Sequence, residues 1–276
     1  MGIFKNLTSK LSNSAYERRA RKAANGKHVS VHQSYLLGKD TPFDVTEAFR
    51  NLKASLSVSV PKQDGGVAIV ITSPYPEDGK TTVTTNLALM FALSDAKVLL
   101  VDADIRKGRV AKYFNAKSKN GLADYLSGQI TLEEAIRPSE INENLSYIAC
   151  GTHSPKPYEL LESAAMGNLI EDLRKQYDYI IIDTPPVLLL SDALALSPIT
   201  DGTVLVCRHQ VSFVSDIERA LNSLHFSKAN VLGLVVNDYK APKVHKFYGG
   251  SYNHYYYNYK YGSTNPEDTD APTDVE

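Results

Sequence analysis

Three short stretches hold the residues best suited to chemistry. Gly79, Lys80 and Thr81 follow directly on the apolar run "VAIVIT" and open a segment of helical period. A glycine, an amine and a hydroxyl in that context suit a polyphosphate. Backbone N–H groups and a helix N-terminus bind phosphate oxygens, the lysine neutralises them, and the hydroxyl offers an oxygen to Mg²⁺. Asp78 and Thr82 belong to the same loop and are read with Gly79, Lys80 and Thr81 as ATP-binding residues. Asp102 and Asp104 close a second buried run two residues apart, so strand alternation puts both side chains on one side. Beside Mg-ATP they can share the metal or accept a proton. Asp183 ends a third run, "YDYIIID", where an acid can hold Mg²⁺ through water. Lys80, Asp102, Asp104 and Asp183 are therefore the expected catalytic set, with Thr81, Asp104 and Asp183 around the metal.

The loop "SPYPEDGKTT" has a single glycine where phosphate loops usually have two or more. Pro74 stands where the first glycine or alanine is usual, Pro76 stiffens the turn, and Glu77 brings an acid close to the phosphates. Only positions of positive φ or close backbone approach require glycine, so the loop is expected to work with Glu77 turned outward.

These residues need rigid elements behind them. From Gly66 onward, "VAIVIT", "KVLLVD", "LSYIAC", "YDYIIID", "GTVLVC" and "NVLGLVV" are short apolar runs, the pattern of strands buried on both faces. "KTTVTTNLALMFALS", "MGNLIEDLRKQ" and "SDIERALNSLHF" between them have helical period. The alternation predicts an α/β fold: a doubly wound, mainly parallel sheet with helices on both faces and ligands at the carboxyl ends of the strands. Ahead of it, "DVTEAFRNLKASLSVSV" places Val45, Phe49, Leu52 and Leu56 on one helical face, with Asp44 or Thr46 as candidate cap. Three regions are expected: a basic arm over 1–40, a body over 41–240, and a flexible tail over 241–276 that is tyrosine-rich and then acidic. Within the arm, Ile3, Phe4, Leu7 and Leu11 have the spacing of a short amphipathic helix.

Composition narrows the function. A net charge of −1 gives no overall field for nucleic acid, and no nucleic-acid partner is expected. Charge is concentrated at the ends: residues 1–28 are strongly basic, while residues 263–276 carry five acids and no lysine or arginine. Cys150 and Cys207 lie in apolar runs and read as core thiols of a reducing compartment. No apolar stretch approaches the ~18 residues of a membrane span, so a soluble cytoplasmic protein is expected. Arg208 reads as a strand-end cap rather than a phosphate contact.

The three stretches, in this order, resemble phosphate-loop proteins that carry an additional aspartate-bearing motif. Two branches share them: the partitioning and division-site ATPases of ParA/MinD type, and the bacterial tyrosine kinases of capsule and exopolysaccharide systems. The flanks resemble the kinase branch. "EAFRNLK" is similar to its EX2RX2R helix, with Glu47, Arg50 and then Lys53 in place of the second arginine. The tail holds Tyr248, Tyr252, Tyr255, Tyr256, Tyr257, Tyr259 and Tyr261. "VDADIRKG" resembles VDADxRxP with Gly108 for proline, and "IIIDTPPV" and the Ser191–Ala193 "SDA" also match.

That resemblance implies an Mg-ATP-dependent tyrosine kinase whose subunits form a ring through Glu47, Arg50 and Lys53 and phosphorylate one another's seven tail tyrosines. Asp102 would help deprotonate the acceptor, although the sequence leaves its role interchangeable with that of Asp104. Asn237 would touch adenine. The resemblance also implies a membrane activator with a cytoplasmic segment that recruits the kinase to the inner face of the membrane. A cognate tyrosine phosphatase and protein substrates of polysaccharide synthesis complete the expected partners. A positioning ATPase and a non-catalytic nucleotide-binding scaffold are the alternatives.

Overall fold

The computed structural model describes residues 3–4, 32–60 and 65–239. The seven tail tyrosines, and Leu7 and Leu11 of the arm, lie outside them.

All six apolar runs form strands: β2 (Val67–Thr72), β3 (Val98–Asp102), β5 (Leu145–Ile148), β6 (Tyr179–Asp183), β7 (Gly202–Arg208) and β8 (Val231–Asn237). Two short strands join them, β1 (Ile3–Phe4) and β4 (Ile136–Pro138). The order is β1-β8-β7-β2-β6-β3-β5-β4. Every pairing is parallel except β4 on β5. Ile3 and Phe4 pair with Leu234 and Val235, so extended backbone replaces the expected helix there.

The alternation of strand side chains divides the core in two. Val67, Ile69 and Ile71 face one apolar cluster, together with Val98, Leu100 and Ile181. Ala68, Val70, Leu99, Val101, Ile180 and Ile182 face the other. The first cluster is covered by α1 (Phe43–Ser59) and α2 (Lys80–Ala92) through Phe49, Leu52, Leu56, Leu87 and Phe91. In chain order the next helices are α3 (Val110–Tyr113), α4 (Leu122–Leu126), α5 (Leu132–Ala135), α6 (Pro157–Glu162), α7 (Ala164–Arg174), α8 (Asp192–Leu196) and α9 (Val214–Phe226). Of these, α4 and α6–α9 supply Leu122, Leu161, Leu169, Leu196 and Leu224 to the second cluster. The expected doubly wound sheet with helices on both faces is what forms. Both cysteines are buried thiols.

The start of α1 departs from expectation. Its cap is Pro42, without a side-chain hydrogen bond. Asp44 and Thr46 already lie inside the helix, and the Thr46 hydroxyl donates back to the Pro42 carbonyl at 3.3 Å. Proline's fixed φ sets the entry, so no polar cap is required.

Residues 32–37, which the sequence places in the basic arm, pack on α2 instead. Leu37 is buried in the first cluster. Asn86 of α2 accepts the Leu37 N–H at 2.8 Å and donates to the carbonyls of Tyr35 at 2.9 Å and Thr82 at 3.0 Å. One buried amide thus ties this segment to the helix that follows the phosphate loop. Asn86→Ala is expected to leave the Leu37 N–H without its acceptor, at a cost of about 1–3 kcal/mol. Denaturant unfolding measures the loss, and amide exchange at Leu37 should accelerate before that of the strands.

Candidate functional site

The sheet register brings the key residues together. Asp102 is the Cα partner of Asp183, and Asp183 is the partner of Ile71 one residue before the end of β2. Three neighbouring parallel strands therefore finish side by side, and the loop after β2 turns over their ends.

That loop makes two left-handed turns. Glu77 has φ 69° and Gly79 has φ 91°. Glu77 is exposed, as expected, and supplies the conformation that a glycine would supply more cheaply. Gly79 has no such latitude. A β-carbon there would collide with the Asn237 side-chain nitrogen, in addition to the strain of positive φ. Asn237 donates to the Asp78 carbonyl at 2.9 Å. In this structure Asn237 is thus a strut under the loop. Asp78 is buried and turned inward; it accepts the Ser212 hydroxyl at 2.9 Å and the Tyr75 N–H at 3.1 Å. Burial raises its carboxyl pKa above the ordinary value.

Lys80 opens α2 with its ammonium 3.6 Å from Asp183 Oδ2, 3.7 Å from Asp104 Oδ2 and 3.3 Å from Thr81 Oγ1. The Thr81 hydroxyl donates to Asp183 at 2.7 Å. Thr84, outside the residues singled out from sequence, donates to the other Asp183 oxygen at 3.2 Å. Its signal was available: it lies three residues beyond Thr81, on the same helical face. Thr82 exchanges a 2.7 Å hydrogen bond with the Tyr113 hydroxyl, whose pKa burial pushes up to about 12. Arg208 pairs with Asp238 at 3.2 Å, as a strand-end residue should.

Asp102 is fully buried and accepts the N–H groups of Val110 at 3.0 Å and Asp104 at 3.3 Å. Burial first, and the nearby Asp183 charge second, hold its pKa well above the usual carboxylate range. Burial likewise raises Asp183, opposed by the Lys80 charge and the Thr81 hydroxyl. Gly108 fits this packing, because a β-carbon there would come within 2.5 Å of both Asp102 Oδ2 and the Cys150 side chain.

Lys80, Thr81, Asp104 and Asp183 thus meet in one place, with Asp102 beside Asp183. Glu47, Arg50 and Lys53 lie on α1, where Glu47 and Arg50 form an ion pair three residues apart. The hard oxygens of Thr81, Asp104 and Asp183 suit Mg²⁺. Among the described residues no three acidic, histidine or cysteine groups converge on a point as a protein-only metal site.

The AAA domain family matches residues 59–225. Tyrosine-protein kinase YwqD of Bacillus subtilis is 35% identical over 205 residues, which cover 74% of this chain and 85% of that protein. Tyrosine-protein kinase ptk of Acinetobacter johnsonii is 36% identical over 192 residues, or 70% of this chain but 26% of that longer protein. Among solved structures, the BceF tyrosine kinase domain superposes with a TM-score of 0.73 at 30% identity, covering 86% of this chain and 93% of that one. The cell division ATPase MinD of Pyrococcus furiosus reaches 0.54 at 25% identity, covering 64% and 76%. The fold and site are those of a phosphate-loop nucleotide-binding protein. Within that class, the chain belongs to the bacterial tyrosine-protein kinases. It spans about a quarter to a third of the length of several of the curated relatives it matches.

The buried acids give the site a pH signature. Because the folded-state pKa of Asp102 is raised, the stability tied to its proton is fully present below the ordinary carboxylate pKa. That stability is lost as pH rises through the raised value. Asn at 102 stays neutral throughout. In nucleotide-free protein, urea unfolding of Asp102→Asn should therefore gain on wild type as pH rises from about 4 toward 8. A difference that stays flat over that range would show Asp102 ionising at its ordinary pKa.

Proposed function

We propose that the protein transfers the γ-phosphoryl group of ATP to tyrosine hydroxyls, including the seven of its own tail on a second copy. What carries the reading is the single cluster of Lys80, Thr81, Asp104 and Asp183 at the carboxyl ends of three parallel strands, in a chain of this family. The loop amides and Lys80 bind the phosphates. Thr81, Asp104 and Asp183 would hold Mg²⁺, which when bound neutralises charge on the phosphate oxygens. Asp102 takes the proton of the acceptor. Burial and the nearby Asp183 charge raise its pKa and so make it a stronger base than an ordinary carboxylate. A bond forms between tyrosine Oη and the γ-phosphorus, the bond to the β–γ bridging oxygen breaks, and ADP leaves.

The tail supports this reading by its composition, seven acceptor hydroxyls between 248 and 261. Seven tyrosines within fourteen residues give one rigid site many candidate hydroxyls in one short stretch of sequence. Self-assembly through α1 fits the same scheme. Arg50 is exposed while its partner Glu47 is half-buried, so the guanidinium stands at the surface of α1, where a second copy could reach it. The reading extends to regulation of capsule or exopolysaccharide synthesis and export, with a membrane activator, a phosphatase and substrates of that pathway. No helix among the described residues is long and apolar enough to cross a membrane. Placement at the inner membrane face would then depend on the activator.

Lys80→Met tests the chemistry. Lys80 has carboxylate neighbours even without nucleotide, so some stability should be lost as well. Phosphotyrosine on the tail, read by mass spectrometry in protein shown folded by its thermal melt, should disappear. Wild-type tail phosphorylation in this variant, with contaminating kinases excluded, would sink the proposal. A positioning ATPase would instead hydrolyse ATP and leave the tail unmodified.

Glu47→Ala with Arg50→Ala tests assembly. Light-scattering mass and trans-phosphorylation of a Lys80→Met acceptor should both fall. An unchanged mass would mean that the pair serves its own helix alone.

A further inference from the structure

Asp192, the first residue of α8, is 1% exposed, yet neither of its carboxylate oxygens has a well-made hydrogen bond; the one donor facing it among the described residues, Arg106 Nε, stands off at 3.5 Å from Oδ2. Arg106 is thus its ion-pair partner. Burying a carboxylate with its hydrogen bonds unmade is destabilising, and a neutral side chain of similar size would pack there at less cost. Stability therefore does not explain this residue. Costs of this kind collect where a constellation must be held for function.

The position of Arg106 supplies the reason. It follows Asp104, whose Oδ1 accepts the Lys107 N–H at 2.9 Å, so residues 104–107 form a closed turn beside the carboxylate that faces Lys80. The Arg106 side chain is 35% exposed, and Asp192, which it faces, lies close enough to Asp104 to feel its charge. Among the described residues it makes no other ion pair. Its Nε faces Asp192, which leaves the two terminal amino groups of the guanidinium available. A guanidinium is a planar fork of donors matched to phosphate oxygens. During phosphoryl transfer, charge spreads over the three equatorial oxygens, and an arginine fixed beside them acts on the transition state.

We infer that Asp192 is a positioning residue: it holds Arg106 at the mouth of the Lys80–Asp104–Asp183 cluster, so that the guanidinium receives the oxygens of the phosphoryl group in transfer. Asp192 acts through Arg106 and touches neither nucleotide nor acceptor. The role rests on the kinase reading above.

The test uses the full chain with Mg-ATP and the variants Asp192→Asn, Arg106→Ala and the two combined. Asp192→Asn should slow phosphotyrosine formation about ten- to a hundredfold, with the KM for ATP within about twofold of wild type. Its melting temperature should be unchanged or higher, whereas a merely structural residue would lose stability together with activity. The double variant should be no slower than the slower single one. In nucleotide-free protein, the ¹⁵N resonance of the Arg106 Nε–H, identified by its loss in Arg106→Lys, should be protected from exchange in wild type and unprotected in Asp192→Asn. A wild-type rate in Asp192→Asn, single losses that multiply in the double variant, or unchanged Nε–H protection would each overturn the positioning role while the kinase reading stands. If wild type forms no phosphotyrosine, the kinase reading fails and the role falls with it.

Discussion

A single ammonium group among buried acids constrains everything around it. Lys80 lies within 4 Å of Asp104 and Asp183, and Asp102 stands behind them without access to water. Three carboxylates so placed repel one another and resist losing their hydration. The sequence tolerates them because each has been given donors. Asp183 has two threonine hydroxyls, Asp102 has two backbone N–H groups, and Asp104 has the N–H of Lys107. The unspent part of this electrostatic demand is what a metal-bound polyphosphate would satisfy, with its cation meeting the acids and its anionic oxygens meeting Lys80 and the loop amides. A site of this kind is poised by its own frustration.

The parallel sheet makes that concentration of charge possible. Parallel strands all present their carboxyl ends on one edge, so acids far apart in sequence come within one register step of each other. The β3–β6 pairing of Asp102 with Asp183 is the direct case. Both faces of the sheet are closed by apolar clusters, and this fixes the strands rigidly enough to hold those acids in register. The loop above them is braced from below by Asn237 and from the side by Ser212, two residues delivered by the strands on the far side of β2.

The departures from the usual loop pattern have separate physical accounts. Glu77 takes a left-handed conformation while exposed, which costs backbone energy but leaves its carboxylate in water. Gly108 stands where the Asp102 carboxylate and the Cys150 side chain leave no room for a β-carbon. Neither change removes a group that meets Lys80. In contrast, Gly79 is favoured on two grounds, its φ and the Asn237 side-chain nitrogen that a β-carbon would have to displace.

The apolar runs and their helical spacers were sufficient to set the fold class, since continuous Val and Ile runs between amphipathic segments have few other ways to bury themselves. Lys80, Thr81, Asp104 and Asp183 were legible for a related reason: each sits at a strand end or helix start that the pattern itself marks. What sequence could not provide was side-chain direction. Nothing in "PEDGK" says that Asp78 turns inward to Ser212, or that Asn237 supports a loop 159 residues earlier. The packing of residues 32–37 on Asn86, and the approach of Arg106 to a buried Asp192, likewise join segments whose spacing along the chain has no period. Local pattern fixes which face of an element is apolar, but which polar groups meet across elements is decided only when the sheet closes and each buried donor and acceptor must find a partner.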